Sequence, residues 1–369
     1  MEKRSRYRGC LVGGAAGDAL GYAVEFMSDA AIFRKFGEKG ITEYELMKGI
    51  TEYELMKGAA QISDDTQMTL FTANGLLLGK ARGMTRGVMG AYPSYIHHCY
   101  LDWLDTQRNS YDKNVKHISW LCNLPQLYEP RAPGMTCLNA MDSGEIGSTA
   151  QPINKSKGCG GVMRGAPIGL FFGELPIAEA DKIGAETAAL THGHELGWLP
   201  AAALVHIIHR LVHQEMELQT AVISVTRTLP ELYPNAEHLP ELLKLIERAV
   251  WLSGAGWDDL DAIHDLGEGW VAEETLAIAI YCALKYKNDF DSAIIAAVNH
   301  NGDSDSTGAV TGNILGAALG MEGIPEKYLR SLELKDVILE MADDLYAVYR
   351  EDGIWADKYV RGTYRPKSE

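Results

Sequence analysis

The chain has 369 residues, of which 46% are hydrophobic and 23% charged, so it is long enough to bury a substantial core in one large domain or two. Its formal net charge of −16 argues against nucleic acid or an anionic membrane as a general partner, because both bind basic surfaces. It does not exclude a phosphate-bearing small ligand, which backbone amides and a metal ion can hold. The six cysteines are scattered without a CxxC pair, which favours reduced thiols in a cytoplasmic protein over a disulfide framework.

The N-terminal segment predicts a helix rich in small residues over 9–26. Basic residues before a short apolar run resemble a signal peptide, but Asp18 breaks the run and a Gly/Ala-rich helical pattern follows. We therefore expect mature structure here, with close helix packing at some cost in helix propensity. No segment of the sequence reaches the ~18 uncharged apolar residues of a transmembrane helix, so we expect a soluble protein.

A nonapeptide, GITEYELMK, occurs twice in direct succession, at 40–48 and 49–57. The copies are too short and too alike for a solenoid repeat, so a recent duplication or an engineered insertion is the simpler explanation. The best extended candidate is 41–46, together with its copy. Because nine is odd, the two copies would present opposite faces in one continuous strand. We expect one copy to pair in a hairpin and the other to loop out.

Most of the later segments have apolar residues at helical spacing. We predict helices over 66–78, 177–190, 199–212, 239–253, 272–286, 290–299, 307–319 and 336–349. The Gly/Pro-rich stretch 125–165 is expected to form loops over this scaffold, and long loops of that kind often carry function. No linker divides the chain. The sequence therefore predicts a single all-α domain over 1–369 with minor β-hairpin content, consisting of a motif-bearing core at about 9–320 and a C-terminal helix and tail at 321–369.

Two short acidic clusters, SDDT at 63–66 and DSDST at 303–307, are the most informative polar features. Each places two carboxylates and neighbouring hydroxyls in one turn before an apolar helical segment. Four carboxylates in one pocket would repel one another unless a cation lay between them. Oxygen ligands without Cys or His suit Mg²⁺, Mn²⁺ or Ca²⁺ rather than zinc or copper. The clusters therefore suggest a metal site that can hold two ions.

Helix capping explains either cluster by itself. Ser63 can be an ordinary N-cap, with Asp64 and Asp65 favoured by the helix dipole in the first turn. Asp303 and Asp305 can do the same for the helix that follows them. The two interpretations are compatible, because a helix start can both cap itself and present carboxylates to an ion. Spacing alone leaves both open.

Two further motifs are Gly-rich. Glu25 ends the run GDALGYAVE at 17–25, where it is either a solvated carboxylate at a helix end or part of a close backbone approach to a ligand. The loop KGCGGVMR at 157–164 can cradle a diphosphate through its amides, although it lacks the GxGxxG and GxxxxGK[ST] patterns. We expect Cys159 to be a small packing residue rather than a nucleophile, because no motif supplies its base.

Histidines offer a competing metal hypothesis. His206, His209 and His213 lie at i, i+3 and i+7 on one helix face, which can bind zinc but is explained more simply as a polar stripe. His192 and His194 occupy a Gly-broken turn between two predicted helices, where site residues often lie.

Five of these motifs occur together in an order that resembles the ADP-ribosylglycohydrolase family, which includes the dinitrogenase reductase-activating glycohydrolases. They are GDALG with Glu25 four residues later, SDDTQM at 63–68, KGCGGVMR-x-APIG at 157–169, THGH at 191–194 and NGDSDSTGA-x-x-G at 301–312. The resemblance spans about residues 9–320. It implies a compact orthogonal helical bundle with a dinuclear Mg²⁺ or Mn²⁺ centre. It also implies cleavage of the bond at the anomeric carbon of ADP-ribose on a modified protein, with arginine the expected linkage.

The resemblance also implies roles for individual residues. The metal ligands would be Ser63, Asp64, Asp65, Asp303, Asp305 and Ser306. The catalytic residues would be Glu25, Asp65 and Asp305. The substrate-binding residues would be Gly158, Cys159, Gly160, Gly161, Met163, Arg164 and His192.

Two departures from the family pattern affect these roles. Ser63 and Ser306 stand where the family commonly has Thr, although a Ser hydroxyl or backbone oxygen can also serve as a ligand. The duplicated nonapeptide, between Glu25 and the first cluster, puts in doubt how the Glu25 loop is positioned. The alternatives to an active enzyme are a catalytically silent ADP-ribose-binding protein and a toxin-immunity partner.

Overall fold

The structure is a computed structural model that describes residues 2–47, 58–87 and 90–366. These residues form sixteen α-helices and no sheet, which confirms the all-α prediction. The helices are α1 (Lys3–Tyr22), α2 (Asp29–Phe36), α3 (Asp64–Arg86), α4 (Tyr92–Arg108), α5 (Met135–Asp142), α6 (Ala166–Phe171), α7 (Ile177–Ala189), α8 (Glu195–His213), α9 (Leu218–Leu232), α10 (Leu239–Gly254), α11 (Asp259–Leu266), α12 (Ala272–Lys285), α13 (Phe290–Val298), α14 (Ser304–Leu319), α15 (Lys335–Ala347) and α16 (Gly353–Ala356). Short 3₁₀ turns lie at Trp120–Asn123, Pro125–Tyr128, Cys159–Gly161, Met321–Gly323 and Glu326–Tyr328, and a π-helical turn at Asp357–Arg361.

The predicted helices all exist, but the two that follow the acidic clusters begin earlier than expected. Helix α3 starts at Asp64 and α14 at Ser304, so both clusters are the first turns of their helices. Seven helices, α2, α4, α5, α6, α9, α11 and α16, were not predicted. In α4 the buried face is carried by Ile96, Tyr100 and Trp103 among polar and aromatic neighbours, which hides the helical period. The stretch 125–165 is largely irregular, as expected.

The extended segment predicted over 41–46 does not form a strand. The backbone of Ile41 pairs with the side-chain amide of Asn299 instead of with a neighbouring strand. Ile41 N donates to Asn299 Oδ1 (2.7 Å), and Asn299 Nδ2 donates to Ile41 O (2.9 Å). Only an isolated antiparallel bridge follows, in which Met47 and Ala59 exchange hydrogen bonds of 2.9 and 2.7 Å. The second nonapeptide, at 49–57, lies outside the described residues, so its looping out stays a prediction.

Helices α1 and α14 pack backbone against backbone. Glycines recur every fourth residue on both helices and face one another in antiparallel order: Gly9 against Gly316, Gly13 against Gly312, Gly17 against Gly308 and Gly21 against Ser304. A Cβ atom at Gly13 would lie 2.5 Å from Gly312 O, so a side chain does not fit. Asn313 Nδ2 also donates to Cys10 O at 2.8 Å. The close packing expected of 9–26 is therefore confirmed, and it brings the end of α1 to the start of α14.

The rest of the core surrounds this pair. Helix α1 also packs against α15, and the almost completely buried helix α8 packs against α6, α7, α9 and α12. In the described parts of the chain, no helix combines the length and apolarity needed to cross a membrane. A single domain over 1–369 stays a prediction.

Candidate metal centre

Three helix ends meet at the predicted metal site. Glu25 lies in the turn after α1, Asp64 and Asp65 form the first turn of α3, and Asp303 and Asp305 flank the start of α14. The antiparallel pairing of α1 with α14 explains why Glu25 meets the second acidic cluster. The sequence segments of the site are therefore brought together by the helix pair, although they are far apart in the chain.

The five carboxylates form two groups that share one member. Carboxylate oxygens of Glu25, Asp303 and Asp305 lie within 4.8 Å of one another, and so do those of Asp64, Asp65 and Asp305. All five side chains are buried, at 2 to 7% exposure. Buried charges of one sign this close are unfavourable without a compensating cation. Two groups joined through Asp305 can hold two ions, one in each group.

Both clusters also cap their helices, so the capping interpretation is confirmed alongside the clustering. Ser63 Oγ accepts from Asp65 N at 3.2 Å, and Asp303 Oδ1 accepts from Ser306 N at 3.3 Å. Ser306 N also donates to Asp305 Oδ1 at 2.8 Å. Because the caps use only some of the oxygens, others remain for a ligand.

Two carboxylate oxygens provide a test of whether a cation fits. Glu25 Oε2 and Asp65 Oδ2 are buried and have no hydrogen-bond partner among the described residues. A buried oxygen without a partner costs roughly 1–3 kcal/mol, and more when it is charged. A divalent cation would satisfy both oxygens, and an all-oxygen donor set is what Mg²⁺ and Mn²⁺ prefer. The residues of the site therefore fit such an ion.

Burial and mutual repulsion change how these acids titrate. Burial, and then the charges of Asp305 and Asp303, raise the pKa of Glu25 to about 10. Burial is also the first cause that raises the pKa values of Asp64, Asp65 and Asp303 well above the ordinary range. Without a cation the cluster therefore retains protons at neutral pH, and a bound cation would displace them.

Asp18 belongs to the site's support but was not predicted as a site residue. It is fully buried in α1, and its carboxylate accepts from Ser63 N and Thr66 N, both at 3.1 Å, and from the Thr66 hydroxyl. Burial and the charge of Asp305 raise its pKa to about 7. Asp18 thus fixes the start of α3 against α1. The sequence feature that could have identified Asp18 is its position as a carboxylate within a helix of small residues, two turns before Glu25.

The Gly-rich loop lies against the second acidic cluster. Cys159 begins the 3₁₀ turn Cys159–Gly161, and its Sγ lies 2.8 Å from Asp303 Oδ2. The expectation of a mere packing residue therefore misses this contact with the acidic cluster. Burial and the neighbouring Asp303 raise the pKa of the thiol well above its ordinary value, which is opposite to what a nucleophile needs.

The other predicted substrate residues divide into two sets. Gly158, Gly160 and Gly161 lie in or beside the turn, and the buried ring of His192 packs against Gly158 and Gly160. Met163 and Arg164 lie deeper: Met163 O accepts from Thr69 Oγ1 at 3.3 Å, and the guanidinium of Arg164 is completely buried.

The histidine stripe on α8 does not converge. His206 Nδ1 lies 2.8 Å from Asp181 Oδ2, whereas His209 Nε2 binds Phe172 O at 3.2 Å and His213 Nε2 binds Leu170 O at 2.8 Å. Over the described ranges, only acidic groups meet the geometric requirements of a metal site. His194 has a capping role, since its Nδ1 accepts from Leu196 N at 3.0 Å at the start of α8. The structure therefore gives the zinc hypothesis no support.

Two exposed aromatic rings lie beside the acidic cluster. Phe26, adjacent to Glu25, is 75% exposed, and Trp270 is 40% exposed. Their rings are nearly parallel, with centroids 6.1 Å apart and an interplanar angle of 21°. Trp270 O accepts from Cys159 N at 3.3 Å, which ties this aromatic pair to the Gly-rich loop.

The family model for ADP-ribosylglycohydrolases matches residues 1–354. The chain belongs to the ADP-ribosylglycohydrolase family. The protein is therefore an ADP-ribosylglycohydrolase, an enzyme that hydrolyses ADP-ribose from a modified target. Its acidic clusters fit the metal dependence of this family.

Individual relatives agree with this assignment. ADP-ribosylhydrolase ARH3 of Bos taurus is 24% identical over 374 residues, which cover 94% of each chain. ADP-ribosyl-[dinitrogen reductase] glycohydrolase of Rhodospirillum rubrum is 24% identical over 332 residues, covering 89% of this chain and 91% of that one. A solved structure described as an ADP-ribosylglycohydrolase-related protein complex superposes with a TM-score of 0.63 at 24% identity, covering 94% of this ADP-ribosylglycohydrolase and 99% of the other chain, and so has the same fold.

Proposed function

We propose that this ADP-ribosylglycohydrolase uses two divalent cations, Mg²⁺ or Mn²⁺, to cleave the bond at the anomeric carbon of ADP-ribose, with modified protein arginine as its target. The observation that carries the proposal is the pair of three-carboxylate groups that share Asp305. Asp64, Asp65 and Asp305 would hold one ion, and Asp303 and Asp305 would hold the other, with Glu25 beside it. Ser63 and Ser306 would complete the donor set. When bound, two such ions can chelate vicinal ribose hydroxyls and lower the pKa of a bound water.

Glu25 is the best candidate for carrying a proton to the leaving group. It is the most exposed of the five carboxylates, at 7%, and it lies in a turn rather than within a helix. Its Oε2 has no hydrogen-bond partner among the described residues, so this oxygen is available to a leaving group. A general acid needs both access and a proton at working pH. Asp65 or Asp305, deeper in the cluster, would take up the proton of the attacking water.

The Gly-rich loop is the proposed diphosphate site. Side chains are absent at Gly158, Gly160 and Gly161, so the backbone of the turn can approach a ligand closely. The loop contacts Asp303 through Cys159, which would place a diphosphate next to a metal-bound ribose. His192 borders the same loop and would contribute a further polar contact.

The aromatic pair supports arginine as the linkage. A guanidinium is planar and cationic, so it stacks well on exposed aromatic faces such as those of Phe26 and Trp270. The carboxylates beside the pair would attract the same group. A serine side chain would gain less from this combination, because it is neither planar nor cationic. Assays on arginine-, serine- and nucleotide-linked ADP-ribose would test the preference, and equal turnover of all three would contradict it.

Substitution of one aspartate from each carboxylate group tests the mechanism. Asp303→Ala and Asp65→Ala should each abolish hydrolysis and weaken ADP-ribose binding in Mg²⁺, as measured by product release and by isothermal titration calorimetry with and without Mg²⁺. Glu145→Ala, at an exposed carboxylate, is the control and should retain both properties. Full activity of either aspartate variant would overturn the metal proposal. If the wild-type protein binds ADP-ribose but does not hydrolyse the modified substrates, it is instead a catalytically silent binding protein.

A further inference from the structure

Behind the Gly-rich loop, three buried polar side chains form a hydrogen-bonded row. Arg164 Nη2 donates to Thr191 Oγ1 at 2.6 Å, and Thr191 Oγ1 lies 2.7 Å from His192 Nδ1. Arg164 and Thr191 are 0% exposed and His192 is 2% exposed. The opposite ring nitrogen, His192 Nε2, has no hydrogen-bond partner among the described residues. A Cβ atom at Gly158 or at Gly160 would lie 3.3 Å from it, so Nε2 borders the loop backbone.

The donors and acceptors in this row determine where the protons lie. A guanidinium only donates, so Thr191 Oγ1 must accept from Arg164. The single hydroxyl proton of Thr191 then has three acceptors within reach: His192 Nδ1 at 2.7 Å, Ala188 O at 3.3 Å and the Cys137 sulfur, a weak acceptor. The nearer acceptor is favoured, since 2.7 Å is an ordinary O–H hydrogen-bond length and 3.3 Å is long.

The positive charge of Arg164 also favours a hydrogen bond from the Thr191 hydroxyl to His192 Nδ1. No carboxylate forms an ion pair with it in the described parts of the chain, and its guanidinium stacks on the Tyr100 ring with Cζ 4.6 Å from the ring centroid. A lone pair on Nδ1 facing this cation is favourable, whereas an N–H bond in that position would point its positive end at a positive charge. The cation also polarises the Thr191 hydroxyl and strengthens its donation.

We propose that Arg164 and Thr191 are positioning residues that hold His192 as the neutral tautomer protonated at Nε2, so that His192 donates a hydrogen bond to an oxygen of bound ADP-ribose. The role toward ADP-ribose rests on the proposed function, whereas the tautomer does not. Phosphate oxygens only accept hydrogen bonds, so a ring nitrogen that carries a lone pair would repel them, and the fixed N–H makes the loop side of His192 complementary to a diphosphate.

The imidazole also stays neutral over the working range of pH. Burial, and then the charge of Arg164, lower the pKa of His192 to about 3. The contact with the ligand is therefore a neutral N–H donor rather than an ion pair.

The tautomer can be measured by ¹⁵N NMR on the histidine-labelled full chain without metal or ligand, with the His192 signal assigned by its loss in His192→Gln. The unmodified protein should show the tautomer protonated at Nε2. Thr191→Val removes the hydroxyl at nearly constant shape and should populate the other tautomer. Thr187→Val is the matched control, because Thr187 is equally buried and its hydroxyl has no partner among the described residues. An Nδ1-protonated ring in the unmodified protein, or an unchanged tautomer in Thr191→Val, would overturn the proposal.

Calorimetry with ADP-ribose tests the consequence for the ligand. Thr191→Val should weaken binding about tenfold, whereas His192→Gln, which retains a donor, should bind more tightly than His192→Leu. Equal affinity of His192→Gln and His192→Leu would overturn the donor role, and so would an unchanged affinity in Thr191→Val. If Thr191→Val does not fold, the comparison of His192→Gln with His192→Leu still tests whether His192 donates a hydrogen bond to the ligand. If the unmodified protein fails to bind ADP-ribose, the proposed function fails, while the NMR result still decides the tautomer.

Discussion

At the scale of single residues, the site is defined by oxygens that lack partners. Glu25 Oε2 and Asp65 Oδ2 are buried without a hydrogen bond among the described residues, although the surrounding helix caps satisfy other oxygens of the cluster. A fold that only needed capped helices would not require five carboxylates within one pocket. The excess of acceptors is what distinguishes a ligand site from an ordinary pair of helix starts.

The stability of the metal-free protein should fall as pH rises from about 5 to 9. The pKa of Glu25 is about 10 and that of Asp18 about 7, both above their ordinary values near 4. Between the unfolded and folded pKa values the native state binds more protons than the unfolded state, so raising pH destabilises it. Thermal unfolding in chelator across this range measures the effect.

Added Mn²⁺ should reverse this trend and stabilise the protein more at pH 8 than at pH 5, because the ion must displace protons from its ligands. Asp65→Asn should reduce both the pH dependence and the stabilisation by metal. Glu145→Gln, at an exposed carboxylate, should leave both unchanged. A metal-induced shift in Tm that is the same at both pH values would contradict the prediction.

Asp18→Asn should weaken metal binding although Asp18 lies outside both groups of candidate ligands. An amide supplies one acceptor where the carboxylate supplies two for Ser63 N, Thr66 N and the Thr66 hydroxyl. We expect a loss of about 1–3 kcal/mol in the free energy of unfolding and a weaker calorimetric affinity for Mn²⁺. Unchanged affinity together with reduced stability would limit Asp18 to a purely structural role.

At the scale of helices, the glycine contacts between α1 and α14 control the site from a distance. Gly17→Ala should destabilise the protein by about 1–3 kcal/mol, because its Cβ would collide with the backbone carbonyl of Gly308. Metal affinity should fall as well, since the collision separates Glu25 from α14. Gly254→Ala is the control: this exposed glycine in the last turn of α10 has no atom near a new Cβ, and the change should stabilise slightly. Urea unfolding of the two variants compares them directly, and equal stability would contradict the packing argument.

Helices were predictable from sequence where an apolar stripe repeats at helical spacing, as in α7, α8, α10 and α12. The acidic clusters were predictable as site residues because their motifs are local. Tertiary contacts explain what was missed. The strand expected at 41–46 fails because Asn299, far away in sequence, takes the hydrogen bonds of Ile41. The role of Asp18 depends on where α3 docks, and no local pattern contains that information.

At the scale of the whole molecule, the duplicated nonapeptide should be dispensable. Deleting 49–57 would leave only Lys48 and Gly58 between the bridged residues Met47 and Ala59. Two residues suffice for a tight hairpin connection, and Gly58, with φ of +79°, suits the second position of a type I′ turn. We expect folding and hydrolysis to be retained, as measured by soluble yield, Tm and product release. Loss of soluble protein on deletion would contradict this.

The antiparallel pairing of α1 with α14 also governs when the enzyme can first become active. Asn313 and Cys10, which hold the pair together, are 303 residues apart in the chain. Contacts of such high sequence separation form slowly and late, because the intervening chain must be ordered first. During synthesis the site cannot assemble around the N-terminal carboxylates until the segment around α14 has left the ribosome. A chain terminated before α14 would therefore carry Asp64 and Asp65 without Asp305, so only chains whose synthesis has passed α14 could hold an ion at the complete site.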